Sequence, residues 1–322
     1  TMVKELTESI LLMNHADTLG SIMIFDISES TRNAVLVRTQ EYEAQLANGE
    51  VVPEAIRQLM PYMNIILALT EKYAAICMNP PYMGSGRFDE VLSKYVKDNY
   101  AEAKADLFSV FMDMGMERLE DGGKMAQINM QSWMFLSSFE KLRNIFLYNY
   151  IIDSMLHLGP RTFDELSGEV VQNTAFVFTK PHDSNGDSLV TDAKGTYYRL
   201  VDGKNCADKE LLFLSHKKNE DGKRIYYPNV EQKNFEKIPG SAMGYWMSDK
   251  LRVSFKNSNL EKEASPKKGL ATTDNARFLR VWFEVDLNKI GINYKNKVEA
   301  INSDKKWFVL NKGGGYRKWY GL

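Results

Sequence analysis

The chain has 322 residues, 44% hydrophobic and 26% charged, proportions that fit a globular protein with a proper core and exclude a disordered tail. The longest apolar stretch, Ile65 to Met78, is interrupted by Glu71 and Lys72 and is too short for a bilayer span. No charged leader with an apolar core opens the chain, so a cytoplasmic protein without membrane attachment is expected.

The net charge of −1 hides an asymmetry: residues 1–124 carry 11 Lys/Arg against 19 Asp/Glu, and residues 125–322 carry 30 against 23. Cys77 and Cys206 are distant in sequence, and Cys77 lies in an apolar run read as a core strand, so no disulfide is expected. His15, His157, His182 and His216 show no ligand spacing, and no structural metal is expected.

In chain order, Met2–Met13 reads as an amphipathic helix and Ser21–Asp26 as a short strand. Residues 53–73 read as a helix that Pro61 breaks or kinks. The apolar run Tyr73–Met78 reads as a buried strand and ends at Asn79-Pro80-Pro81-Tyr82. Two prolines fix φ and remove two donors, so the chain leaves the strand in a stiff, extended loop. That loop offers an amide, a carbonyl and an aromatic face at one point. The Asn79 side-chain oxygen and the Pro80 carbonyl can accept both hydrogens of an exocyclic amine, and Tyr82 can stack on the ring that carries it. The same four residues also fit a tight loop with a packing tyrosine.

Beyond the loop, residues 104–111 open a helix, and Leu119–Gly123 turns into a strand over residues 124–129. Ile151–Leu158 and Val170–Phe178 follow as strands. They are too close for a helical crossover, so the pair should be antiparallel. Alternation of strand and helix over residues 73–180 argues a mainly parallel sheet. Thr196–Val201, Glu210–Leu214 and Ile225–Pro228 read as short strands, and from about residue 240 the texture turns to loops. Residues 289–318 hold eight basic and two acidic side chains with interleaved aromatics, which suits a polyanion; a solvated lysine-rich surface is the plainer reading.

The order N-P-P-Y, D-L-F-x-x-F from Asp106, L-x-x-G-G from Leu119, then strand, resembles the amino-methyltransferases of DNA. The longer run to residue 178 is similar to the large adenine methyltransferases of phage-exclusion (BREX and phage growth limitation) systems and their type IIG restriction relatives. Residues 267–278 resemble the K-G-L-x-T-x-x-N signature that opens target-recognition regions in those families. The resemblance implies S-adenosylmethionine as cofactor and double-stranded DNA as partner, with other defence-system proteins as possible companions. It also implies in-line methyl transfer to N6 of an adenine flipped out of the duplex.

Carried over residue by residue, Asn79 and Pro80 hold the amine, Tyr82 stacks on the target base, and Pro81 and Phe111 flank the cofactor's adenine. Phe163 is the candidate for the second face of the base; a core role for Phe111 and Phe163 stays open. Lys267, Lys268, Lys305, Lys306, Arg317 and Lys318 are the phosphate candidates. Asn275 and Arg277 have base-reading capacity, although Asn275 also suits a structural turn.

The strand–D/N-P-x-x-G-x-G–helix element that cradles the cofactor in such enzymes has no counterpart in this sequence. The chain is therefore expected to be a fragment, cut at both ends, that holds the substrate half and is inactive alone. The fold expected is α/β: the C-terminal half of a Rossmann-like methyltransferase sheet, mainly parallel with an antiparallel final strand, then a small β-rich or irregular recognition region. The divisions expected are 1–182, 183–240 and 241–322. A protein or RNA amino-group methyltransferase and a non-catalytic DNA-recognition module are the alternatives.

Overall fold

Period-two alternation of buried and half-exposed side chains builds the centre of the molecule, a six-stranded sheet. The computed structural model describes residues 1–163, 171–182, 190, 192–215, 222–257, 262–265, 272 and 274–310. They divide into two units, Thr1–Asn257 and Ser258–Leu322.

In the first unit the strands are β1 (Tyr73–Met78), β2 (Leu119–Met130), β3 (Ile151–Gly159), β4 (Asn173–Thr179), β5 (Lys194–Arg199) and β6 (Tyr226–Glu231). Their order across the sheet is β1-β2-β4-β3-β5-β6. β1 pairs parallel with β2, and β3 parallel with β5. β4 runs antiparallel to both β2 and β3, and β6 antiparallel to β5. Four of the six strands thus share one direction, and the expected antiparallel pair of residues 151–159 and 173–179 is present.

The helices are α1 (Met2–Leu12), α2 (Ala16–Leu19), α3 (Glu29–Ala47), α4 (Glu54–Thr70), α5 (Glu90–Asn99), α6 (Leu107–Glu117), α7 (Glu140–Asn149), α8 (Cys206–Ser215) and α9 (Asp249–Ser254). α6 packs on β2 and α7 on β3, burying Phe108, Met112, Trp133, Phe146 and Phe178 beneath them. α6 starts at Asp106, whose side chain caps the helix while Ser109 bonds back to the Asp106 backbone. Gly115 lets it lie close, since a Cβ there would meet the Met78 and Met125 side chains at 2.5 and 2.6 Å.

Several expectations are corrected. Residues 210–214 are helical within α8, because the surrounding polar residues from Cys206 onward continue one helical turn pattern that a five-residue window misses. Residues 21–26 form a short 3-10 turn (Gly20–Ile22) and an unpaired extended run, since no strand lies beside them. α4 continues through Pro61 without a break, although Pro61 cannot donate to the Arg57 carbonyl. The Leu119–Gly123 turn is already part of β2: its register against β1 slips there, and Gly122 takes φ +81° to absorb the extra residues. Cys77 is exposed, because it lies on the face of the sheet that it shares with Ala126, Val177 and Ser154, which are only half-buried even on the inner strands; neither Cys77 nor Cys206 is in a disulfide. β5 and β6 extend the same sheet beyond residue 182, and residues 241–257 belong to the first unit.

Among its described residues, the second unit has little regular structure. α10 (Asn275–Phe278) and α11 (Lys297–Ile301) are single turns, capped by Asp274 and Asn296. β7 (Ile290–Gly291) and β8 (Trp307–Phe308) form a short parallel pair. Phe278, Trp282, Phe283 and Phe308 are exposed. Among the described residues of the chain, no helix is long and apolar enough to cross a membrane.

Candidate active site

β1 delivers Asn79-Pro80-Pro81-Tyr82 at its carboxyl end, beside the carboxyl end of β2. Pro80 is buried, Asn79 and Pro81 are exposed, and Tyr82 is half-buried. The loop after Tyr82 is strapped to the start of α6. The Met83 N–H donates to the Asp106 carboxylate at 3.0 Å, and the Leu107 N–H donates to the Met83 carbonyl at 2.9 Å. Ser85 N–H bonds to the Ala105 carbonyl at 3.1 Å. Burial raises the Asp106 carboxyl above its usual range, while the N–H groups of Phe108 and Met83 oppose that shift. Phe108 stands edge-on beneath Tyr82, centroids 6.4 Å apart and planes at 88°. The tetrapeptide is therefore held at both ends by buried structure.

Polar side chains line the neighbouring strand ends. The Tyr82 hydroxyl lies 3.3 Å from Asn79 Oδ1 and 3.4 Å from the Ile128 carbonyl, to either of which it can donate. Asn173, fully buried at the head of β4, donates from Nδ2 to Tyr82 Oη at 3.1 Å and to the Asn129 carbonyl at 3.3 Å. Asn129 Oδ1 accepts from the Trp133 indole at 3.0 Å. Further along, Gln131 donates to Gln172, and Gln131 Oε1 lies 2.6 Å from His157 Nε2. That oxygen only accepts, so His157 carries its proton on Nε2, and Nδ1 accepts from the Tyr245 hydroxyl at 3.1 Å. Arg143, 1% exposed, donates to the carbonyls of Trp133, Leu136 and Gly240 and so holds the segment before Tyr245 over the sheet.

Burial lowers the His157 imidazole to about 4, helped by the positive charges of Arg199 and Lys209. As the pH falls, the unfolded chain, with its ordinary value of 6.5, takes up the proton first. The contribution to stability is complete above about pH 6.5 and is lost progressively towards pH 4, a linkage of roughly 3 kcal/mol. Urea midpoints should fall between pH 7.5 and 5, and His157→Gln should flatten that decline. An equal decline in the variant would assign the pH dependence elsewhere.

Among the other candidates, Phe111 is half-buried against the core and Phe163 is half-buried just after β3. No ring contact joins Phe163 to Tyr82 among the described residues. Exposed Pro81 and half-buried Phe111 offer apolar faces suited to the adenine of S-adenosylmethionine. The nearby carboxylate, Asp106, is engaged by backbone N–H groups and does not suit a ribose, so these residues fit only that part of the cofactor.

In the second unit, Asn275 and Arg277 sit on α10, exposed, with Thr272 bonding Asn275 Oδ1 and the Arg277 guanidinium 5.1 Å over Phe278. Lys305 donates to the Asn288 carbonyl at 2.8 Å, and Lys306 lies 5.4 Å over Trp307. Lys267, Lys268, Arg317 and Lys318 lie outside the described residues.

The sequence reading gave no role to Phe108, Gln131 or Asn173, and considered His157 only as part of a strand and as a metal ligand without partners. A signal was present: Gln172-Asn173-Thr174 places three polar residues at the head of an otherwise apolar strand.

Residues 5–163 match the model of the Eco57I restriction-modification methylase family. The chain is 38% identical over 307 residues to the adenine-specific methyltransferase PglX of Lacticaseibacillus casei (strain Zhang), covering 94% of this chain and 24% of that protein. It is 37% identical over 324 residues to the adenine-specific methyltransferase BrxX of Escherichia coli O9:H4 (strain HS), covering 99% of this chain and 24% of that protein. The chain thus spans about a quarter of the length of these relatives. Among solved structures, the type I restriction-modification methyltransferase subunit from Streptococcus thermophilus aligns over 52% of this chain and 36% of that one, at 16% identity and a TM-score of 0.35. Over residues 5–163 the chain is thus similar to the Eco57I restriction-modification methylase family.

Proposed function

We propose that this chain is the substrate-holding part of an adenine-N6-specific DNA methyltransferase of a phage-defence or restriction-modification system. The observation that carries the reading is the Asn79–Tyr82 loop, exposed at Asn79 and braced from below by Phe108, Asp106 and Asn173. Asn79 Oδ1 and the Pro80 carbonyl accept the two hydrogens of the adenine amine and leave its lone pair directed away from the loop. The Tyr82 ring takes the face of a base extruded from the duplex, and the pairing lost on extrusion is offset in part by that stacking. S-adenosylmethionine, when bound, supplies the methyl group from its sulfonium, with Pro81 and Phe111 against its adenine. Rate then comes from positioning and amine polarisation. Partners of the whole protein are duplex DNA and other proteins of the defence system.

Expression of the full-length polypeptide in a host without adenine methylation tests this directly. N6-methyladenine should appear in the host DNA by mass spectrometry; its absence, with the protein folded and cofactor supplied, overturns the reading.

The basic second unit supports a DNA-recognition role beside catalysis. The isolated chain should bind duplex DNA with a salt dependence set by phosphate contacts, a log–log slope near −0.9 for each. Replacing Lys305, Lys306, Arg317 and Lys318 together by alanine should flatten the slope by about two or more contacts. Fluorescence anisotropy at several salt concentrations reads this, and an unchanged slope removes these four residues from the DNA surface.

A further inference from the structure

We propose that Asn173 is a positioning residue: it fixes the direction of the hydrogen bonds running from Asn173 through the Tyr82 hydroxyl to Asn79, so that Asn79 presents its oxygen to the substrate amine. The inference rests on the function proposed above for Asn79. Asn79 is exposed, and a free amide there is able to present either Oδ1 or Nδ2. Only Oδ1 can accept from an amine. A donor fixed beside the amide selects the oxygen.

The Tyr82 hydroxyl, 3.3 Å from Asn79 Oδ1, is that donor, and it leaves the second lone pair of Oδ1 for the amine. A hydroxyl has a single proton; once Tyr82 Oη is occupied as an acceptor, that proton is left to the two acceptors beside it, Asn79 Oδ1 at 3.3 Å and the more distant Ile128 carbonyl at 3.4 Å. Asn173 Nδ2, 3.1 Å away, occupies Tyr82 Oη. The Asn173 amide is fixed in turn, because Nδ2 also donates to the Asn129 carbonyl at 3.3 Å. Turning the amide over would set Oδ1 against that carbonyl, oxygen to oxygen. The direction of the whole series is thus set by a backbone carbonyl of β2.

A second observation agrees. Asn173 is fully buried, yet its Oδ1 has no hydrogen-bond partner. A buried acceptor left unpaired is a cost, which the two bonds donated by Nδ2 must offset. The donor side of Asn173 is what the site retains.

The test uses full-length methyltransferase carrying this chain, with tritiated S-adenosylmethionine and unmethylated plasmid DNA. Asn173→Asp keeps the shape and replaces the donor with an acceptor, so the Tyr82 hydroxyl turns away from Asn79. kcat should fall roughly tenfold, while KM for DNA stays within about twofold because the stacking ring is untouched. Tyr82→Phe removes only the hydroxyl and should give the same fall. Asn173→Asp placed on Tyr82→Phe should add less than about twofold, since its effect passes through the hydroxyl. Equal losses from Asn173→Asp with and without the hydroxyl would make Asn173 a merely structural residue and overturn the proposal. Should Asn173→Asp not fold, Tyr82→Phe decides by itself: wild-type kcat there ends the relay. Asn79→Ala separates the two levels. If Asn79→Ala loses turnover while Tyr82→Phe keeps wild-type kcat, only the relay fails; if Asn79→Ala methylates normally, the function reading fails.

Discussion

Asn79→Ala in the full-length enzyme should lower the turnover for adenine methylation by about two to three orders of magnitude. In the proposed function the amide oxygen is the acceptor that directs the amine, and its contribution would grow as the nitrogen takes on charge during transfer. An effect realised mainly in the transition state appears in kcat and leaves KM for DNA nearly unchanged. Tyr82→Ala should act differently. Losing a stacking face worth about 1–3 kcal/mol weakens capture of the extruded base and raises KM as well. Both variants should keep the fold, because Asn79 is exposed and the loop is held independently through the backbone bonds of Met83 and Ser85. Circular dichroism with steady-state methylation on the same preparations makes the comparison. Wild-type rates in both variants would remove the active-site assignment.

The largest effect on stability is expected at Trp133. Its ring is 1% exposed and packs edge-on against Phe146, Phe176 and Phe178 at centroid distances of 5.8, 5.2 and 6.1 Å. Trp133→Ala should cost about 3–5 kcal/mol, through lost burial and a cavity that the rigid sheet cannot close. It also leaves Asn129 Oδ1 buried without its donor. Trp133→Phe keeps most of the apolar contact and forfeits only the indole N–H, so it should cost less than half as much. Against a total stability of about 5–15 kcal/mol, that loss is a large fraction of the folding free energy. Urea denaturation of the two variants distinguishes them. Equal losses would show that the hydrogen bond to Asn129, rather than the packing, dominates. Because the Asn129 carbonyl also receives Asn173, the alanine variant should loosen the loop as well as the core.

Local sequence was sufficient wherever one element carries its own signal. The apolar run at Tyr73–Met78, the double proline that ends it and the Asp106 cap of α6 each act within a few residues. The loop from Asn79 to Tyr82, the antiparallel return of β4 and the family all followed from such signals and their order. Tertiary structure decided what depends on neighbours far apart in sequence. Cys77 lies in an apolar strand and is nonetheless exposed, because its face of the sheet is only half-covered, as at Ala126, Val177 and Ser154 beside it, and packing rather than composition sets burial. Residues 194–231 read as a separate segment until the parallel pairing of β5 with β3 joined them to the same sheet. Asn173 and Tyr82 are 91 residues apart and meet only because β4 inserts beside β2. His157, Gln131 and Tyr245 come together from three separate segments, and Arg143 reaches 97 residues ahead to Gly240 to hold the last of them. A hydrogen-bonded polar group gives no periodic signal along the chain, because its partner is fixed by strand order; hydrophobic periodicity records only which face is buried.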